Sequence, residues 1–183
     1  MILPSARVLT FGYDTRIRHW VQGPVNSSTV YDIARDLLVA LEAERRQEAY
    51  RPVTFVVHSL GGIVVKEMLR QSQDFQISPP HLHTVFQSTN GIMFFGTPHA
   101  GADPLGFLRG IVENVCKTVG FRVNQHIIDT LMPTSERLAE LRREFGAMAV
   151  EREWKVHSFQ ERYGVQALNQ HKVGIKFIGH LIN

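Results

Sequence analysis

The chain has 183 residues, of which 44% are hydrophobic and 20% charged, enough to bury one sizeable core and too few for a pair of ordinary domains. That composition, with no repeat and no low-complexity run, excludes a solenoid and a disordered chain. The formal net charge of +3 comes from basic residues interleaved with acids, with only the doublets Arg45-Arg46 and Arg142-Arg143, so no nucleic-acid partner is expected.

In chain order, residues 1–7 show no basic leader followed by an apolar stretch, so no secretory signal is expected. No apolar run reaches the length of a membrane span, which leaves peripheral membrane contact as the only kind expected. Arg7-Val8-Leu9-Thr10-Phe11-Gly12-Tyr13 is short, β-branched and aromatic and predicts a first buried strand. Val30, Ile33, Ala34, Leu37, Leu38 and Leu41 recur at helical spacing, with Ser28 or Thr29 as cap and Asp32 in the first turn.

Pro52 ends that helix, and Val53-Thr54-Phe55-Val56-Val57 predicts a second strand, continuous in apolar character as in a parallel sheet covered on both faces. After Gly61-Gly62, residues 63–69 return to helical spacing. Residues 71–90, with Pro79-Pro80, read as a loop holding a short helical stretch, and Gly91-Ile92-Met93-Phe94-Phe95-Gly96 as a third strand.

Residues 104–119 suit one helix. Cys116 within it is the single cysteine, so no intrachain disulfide can form, and a reduced, intracellular compartment is expected. Residues 135–148 are a clearer helix, with Leu138, Leu141, Phe145 and Met148 on one stripe. Trp154-Lys155-Val156-His157-Ser158-Phe159 alternates as a fourth strand, and no element is predicted after Gly164. The fold expected is α/β, a mostly parallel sheet of about four strands flanked by helices, with residues 1–163 one domain and 164–183 an atypical tail.

The turn that carries chemistry is Val57-His58-Ser59-Leu60-Gly61-Gly62, at the end of a strand and the start of a helix. A serine hydroxyl needs a base to take its proton and backbone donors facing the developing oxyanion. A nucleophile elbow supplies exposure and donors together, the N–H after the serine facing the substrate oxygen. On that pattern Ser59 would be the nucleophile, Leu60 the donor, Gly61 the small residue after it, and Gly62 a means of packing the helix close to the sheet; read alone, the same residues also suit a Ser-Leu-Gly-Gly helix start with no catalysis. Val57 stands where that pattern has a small residue. A second motif, Gly96-Thr97-Pro98-His99, follows the next strand at the same carboxyl edge, where open α/β sheets bind ligands.

Together with Ser158-Phe159-Gln160-Glu161, these motifs make the chain resemble the lipase-like α/β-hydrolases of the serine-active-site-containing protein family. Fungal relatives of that family form N-terminal modules of nucleotide-binding signalling receptors. The resemblance covers residues 7 to 163. It implies a partial α/β-hydrolase fold and hydrolysis of an ester, with a lipid-like small molecule as partner and no cofactor. Localisation would be intracellular, at mitochondrial or endoplasmic-reticulum membranes.

By the same resemblance Glu161 matches the acidic member of the triad. The family places a further strand and a His-Gly oxyanion loop before the equivalent of Arg7, and its base in an Asp-His context past the acid. The chain is expected to lack these pieces, so an incomplete interaction module or a truncated fragment stands as the alternative. His171 and His180 both follow Glu161 in the order Ser, acid, His; His171 is the candidate base.

His99 is expected to shape the pocket through hydrogen bonds. His58 borders the pocket but should point away from the nucleophile by strand alternation. Asp103 is a second acid near the pocket, placed early for a triad member. His81-Leu82-His83 has no third ligand at persuasive spacing, and no metal is expected.

Overall fold

The computed structural model describes residues 6–12, 30–97, 110, 135–161 and 175–178. Helix α1 (Val30–Arg45) buries Val30, Ile33, Ala34, Leu37, Leu38 and Leu41, the stripe its spacing predicts. Arg45 at its end is buried and satisfied, donating from Nη1 to Ser88 Oγ at 3.0 Å and from Nη2 to the Ala49 carbonyl at 3.1 Å. Strand β1 (Val53–His58) leads through Ser59 into α2 (Leu60–Asp74). A turn at Pro80–Leu82 feeds α3 (His83–Ser88), which passes directly into β2 (Thr89–Phe95). Helix α4 (Ser135–Glu151), strand β3 (Lys155–Glu161) and the short β4 (Ile175–Ile178) complete the described elements.

The sheet order is β1-β2-β3-β4, with β1, β2 and β3 parallel and β4 antiparallel to β3. The parallel sheet thus has three strands, and the fold is α/β as expected. The predicted first strand is not among them. Residues 6–12 take no regular structure, and Val8 is 83% exposed. An apolar run becomes a strand only when a neighbour satisfies its backbone hydrogen bonds, and among the described residues β2 is the one strand paired with β1. Arg7 pairs instead with Glu44 on α1. In the tail, where no element is predicted, Ile175–Ile178 adds to the outer edge of β3.

Burial alternates along β1, half-buried at Val53, Phe55 and Val57 and exposed at Thr54, Val56 and His58. This departs from the expected strand covered on both faces. Phe94 shows which face is covered: its ring meets Phe145 of α4 edge-on at 5.6 Å, and it lines the close approach of α2 at Gly62. Helix α2 lies at the centre of the helical layer, with α1 and α4 packed against it. The α4 stripe of Leu138, Leu141, Phe145 and Met148 is buried there, as its spacing predicts. Three parallel carboxyl ends are thereby aligned at one edge: Ser59 after β1, Gly96 and Thr97 after β2, and Glu161 closing β3.

Candidate active site

Ser59 sits between the last residue of β1 and the first of α2, with φ 54° and ψ −125°. For a residue with a Cβ this is a strained conformation, of the kind that persists only where the surroundings enforce it. Its N–H donates to the Phe95 carbonyl at 2.9 Å, and its own carbonyl accepts the Gly62 N–H at 3.1 Å and the Thr97 hydroxyl at 3.0 Å. The residue is 6% exposed. Its Oγ has no hydrogen-bond partner among the described residues. A buried, unpaired hydroxyl on a strained turn is poorly explained by stability alone, since leaving it unpaired costs about 1–3 kcal/mol.

Leu60 opens α2, and the first N–H groups of a helix have no partner within it. The first turn carries no acidic residue, so the positive end of the helix dipole is available to a developing anion. The two glycines that follow are not equivalent. A Cβ on Gly61 would meet nothing within 4 Å among the described residues. On Gly62 it would stand 2.3 Å from Thr97 Oγ1, 2.5 Å from Thr97 Cγ2 and 2.9 Å from Phe94 Cδ1. The expected close packing of helix on sheet therefore rests on Gly62, while Gly61 is small without a contact that requires it. Val57 packs against the core and pairs in register with Phe94. A branched side chain is accommodated there because it points to the helical layer.

Thr97 is 2% exposed and lies against the elbow. Gly96 before it has φ 55° and donates to the Phe159 carbonyl at 2.8 Å, which ties the turn to β3. His58 is on the exposed face of β1, with Nε2 3.7 Å from where a Cβ on Gly96 would stand. Its neighbour Ser59 is buried. The backbone of Glu161 ends β3 and pairs with Ile175, at the same sheet edge as Ser59. His99, Asp103, Cys116, His171 and His180 lie outside the described residues, as does the helix expected over 104–119 apart from residue 110.

His81 belongs to the turn before α3, and the His83 ring nitrogen Nδ1 lies 2.9 Å from the Ser72 carbonyl oxygen. Leu82 between them is buried. Among the described residues no group of three or more His, Cys, Asp or Glu is placed to hold a metal.

Two features of α2 near this edge gave no signal in the sequence. Lys66 is buried, its Nζ 5.2 Å from the Phe94 ring centroid and 5.3 Å from that of Phe145. Burial, with a smaller push from Arg142, lowers its pKa to about 8. Glu67 is buried beside it and accepts from Arg70 at 2.7 Å, Gln71 at 3.2 Å and Arg137 of α4 at 3.1 Å. Burial pushes its carboxyl up, and the hydrogen bonds and charges of Arg70, Gln71 and Arg137 outweigh this and hold it below the usual range. Charged residues inside a helix ordinarily mark its solvated face, so spacing alone does not reveal these two.

Among proteins already characterised, the chain is similar to Protein SERAC1. It is 32% identical to the Homo sapiens protein over 100 residues, 54% of this chain and 14% of that one. The Bos taurus protein matches equally, at 32% over 100 residues. The Danio rerio protein is 29% identical over 160 residues, 86% of this chain and 22% of that protein. The chain therefore spans between about a seventh and a fifth of the length of these relatives. No family model matches the chain, and no solved structure matches it.

Proposed function

We propose that this chain carries the nucleophile-bearing part of a serine ester hydrolase of the lipase or carboxylesterase type, on an α/β-hydrolase fold. The observation that carries the reading is Ser59: left-handed at φ 54°, between a parallel strand and a helix, with a buried Oγ unpaired among the described residues. The likeness to SERAC1 and the position of Gly96 and Thr97, which open the Gly96-Thr97-Pro98-His99 motif, at the same sheet edge support it.

In this reading a histidine, with His171 the candidate, takes the Ser59 proton as Oγ bonds to the ester carbonyl carbon. The carbonyl oxygen becomes an oxyanion facing the Leu60 N–H. Collapse breaks the bond to the alcohol, which leaves with the proton held by the imidazolium. Water then gives a proton to the imidazole and attacks the acyl carbon; the bond to Oγ breaks, the acid departs, and Ser59 recovers its proton. Glu161 orients and stabilises the imidazolium, and Thr97, His99, Gly61 and His58 border the pocket. The lipid-like character of the ester, and a peripheral location at mitochondrial or endoplasmic-reticulum membranes, follow from the motif resemblance. No helix among the described residues is long and apolar enough to cross a membrane.

The test is hydrolysis of p-nitrophenyl esters of increasing acyl length. The wild-type chain is expected to release a burst of p-nitrophenol as the acyl-enzyme forms, and Ser59→Ala to lose about a thousandfold or more of the rate. Equal rates for the two proteins would overturn the assignment.

A further inference from the structure

The Thr97 hydroxyl reaches Ser59 from outside the elbow. It donates to the Ser59 carbonyl oxygen at 3.0 Å from a position that is 2% exposed. That carbonyl and the Leu60 N–H belong to one peptide group, which is planar and, in the trans form, points the two in opposite directions. Fixing the carbonyl therefore fixes the N–H. A hydrogen bond accepted by the carbonyl also polarises the N–H at the far side of the same group and makes it a better donor. On the other side of Ser59, its N–H is held by the Phe95 carbonyl at 2.9 Å. One short segment, residues 95–97, thus clamps the peptide groups before and after the strained residue.

The absence of a side chain at Gly62 is what admits this contact. A Cβ there would stand 2.3 Å from the Thr97 oxygen, closer than any packing allows.

We propose that Thr97 is a positioning residue, whose hydroxyl orients and polarises the Leu60 N–H as the oxyanion donor. The role rests on the assignment of Ser59 as nucleophile. It separates the hydroxyl of Thr97 from its methyl group: the hydroxyl serves the reaction, and the methyl serves packing.

The experiment compares Thr97→Val, which keeps the shape and loses the hydroxyl, with Thr97→Ser, which keeps the hydroxyl. The readouts are the rate of acylation by a p-nitrophenyl ester, split into kcat and KM, and the amide proton shift of Leu60 by NMR. Thr97→Val is expected to lower kcat by about tenfold to a hundredfold with KM little changed, because the donor acts on the transition state. Thr97→Ser is expected to stay within about threefold of wild type, and the Leu60 amide proton to move upfield in Thr97→Val alone. Wild-type kcat in Thr97→Val, or an equal loss in both variants, would overturn the proposal.

If Thr97→Val does not fold, Thr97→Ala against Thr97→Ser isolates the hydroxyl in the same way. If the wild-type chain and Ser59→Ala show equal turnover, the hydrolase reading fails. The Leu60 shift then decides the Thr97 contact separately, an unmoved resonance counting against it.

Discussion

A left-handed serine costs on the order of 1–3 kcal/mol, and at Ser59 the backbone is held there by Phe95, Thr97 and Gly62. Glycine relieves that strain and removes a buried hydroxyl that is unpaired among the described residues, so Ser59→Gly should raise stability by about 1 kcal/mol while abolishing turnover. Urea denaturation read beside ester hydrolysis checks this, and a stability loss would mean that the serine is there for packing. Gly62→Ala should destabilise by about 1–3 kcal/mol, because its Cβ meets Thr97 and Phe94. Gly61→Ala should be neutral or stabilise by up to about 1 kcal/mol. Denaturation midpoints for the pair distinguish the two glycines. The sequence assigns close packing to Gly62 but not the atoms it meets; these belong to Phe94 and to Thr97, which is 35 residues away from Gly62 by number and meets it only through strand pairing.

At the scale of elements, α2 and α4 are joined by a buried carboxylate as well as by apolar contact. Glu67→Ala should cost about 2–3 kcal/mol, moderated because the guanidiniums of Arg70 and Arg137 reach water. Arg137→Ala should cost under about 1 kcal/mol, since Glu67 keeps Arg70 and Gln71. Equal losses in urea titrations would contradict this account of the network. Lys66 adds a pH dependence. Its folded value of about 8 lies below the ordinary 10.5, so between these values the unfolded chain binds more protons and the stability contributed at this site rises with pH. Below about 8 the contribution is at its lowest. Wild type should therefore gain on Lys66→Met as pH climbs through that window, whereas a constant difference in denaturation midpoints would contradict the burial of a titrating amine.

The helices α1 and α4 were legible because a stripe of apolar residues is a local property, read within a few turns. Strands are settled by their neighbours: residues 7–12 have the composition of a strand but join no sheet among the described residues, whereas Ile175–Ile178 is four residues long and is a strand because β3 offers it an edge.

At the scale of the molecule, the described helices pack on one face of the sheet. The opposite face presents Val56, Met93 and His157 in one register row, with Phe95 stacked on Phe159 at 4.6 Å in the next. Parallel pairing of β1, β2 and β3 is what turns scattered motifs into a single edge. Ser59, Thr97 and the backbone of Glu161 come to that edge from positions as far apart as 59 and 161. The sequence motifs foretold this convergence because the carboxyl ends of parallel strands share one side. Which backbone groups clamp the serine was not legible, since it depends on the register of β1 against β2.

The central claim is that Ser59 is a nucleophile, and covalent trapping tests it most directly. The wild-type chain would be treated with a fluorophosphonate and digested, and the modified peptide sequenced by mass spectrometry. One adduct per chain is expected, on the Ser59 oxygen, and none on Ser59→Ala. An adduct on another residue, or a wild-type chain left unmodified under conditions that label a known serine hydrolase, would contradict the account.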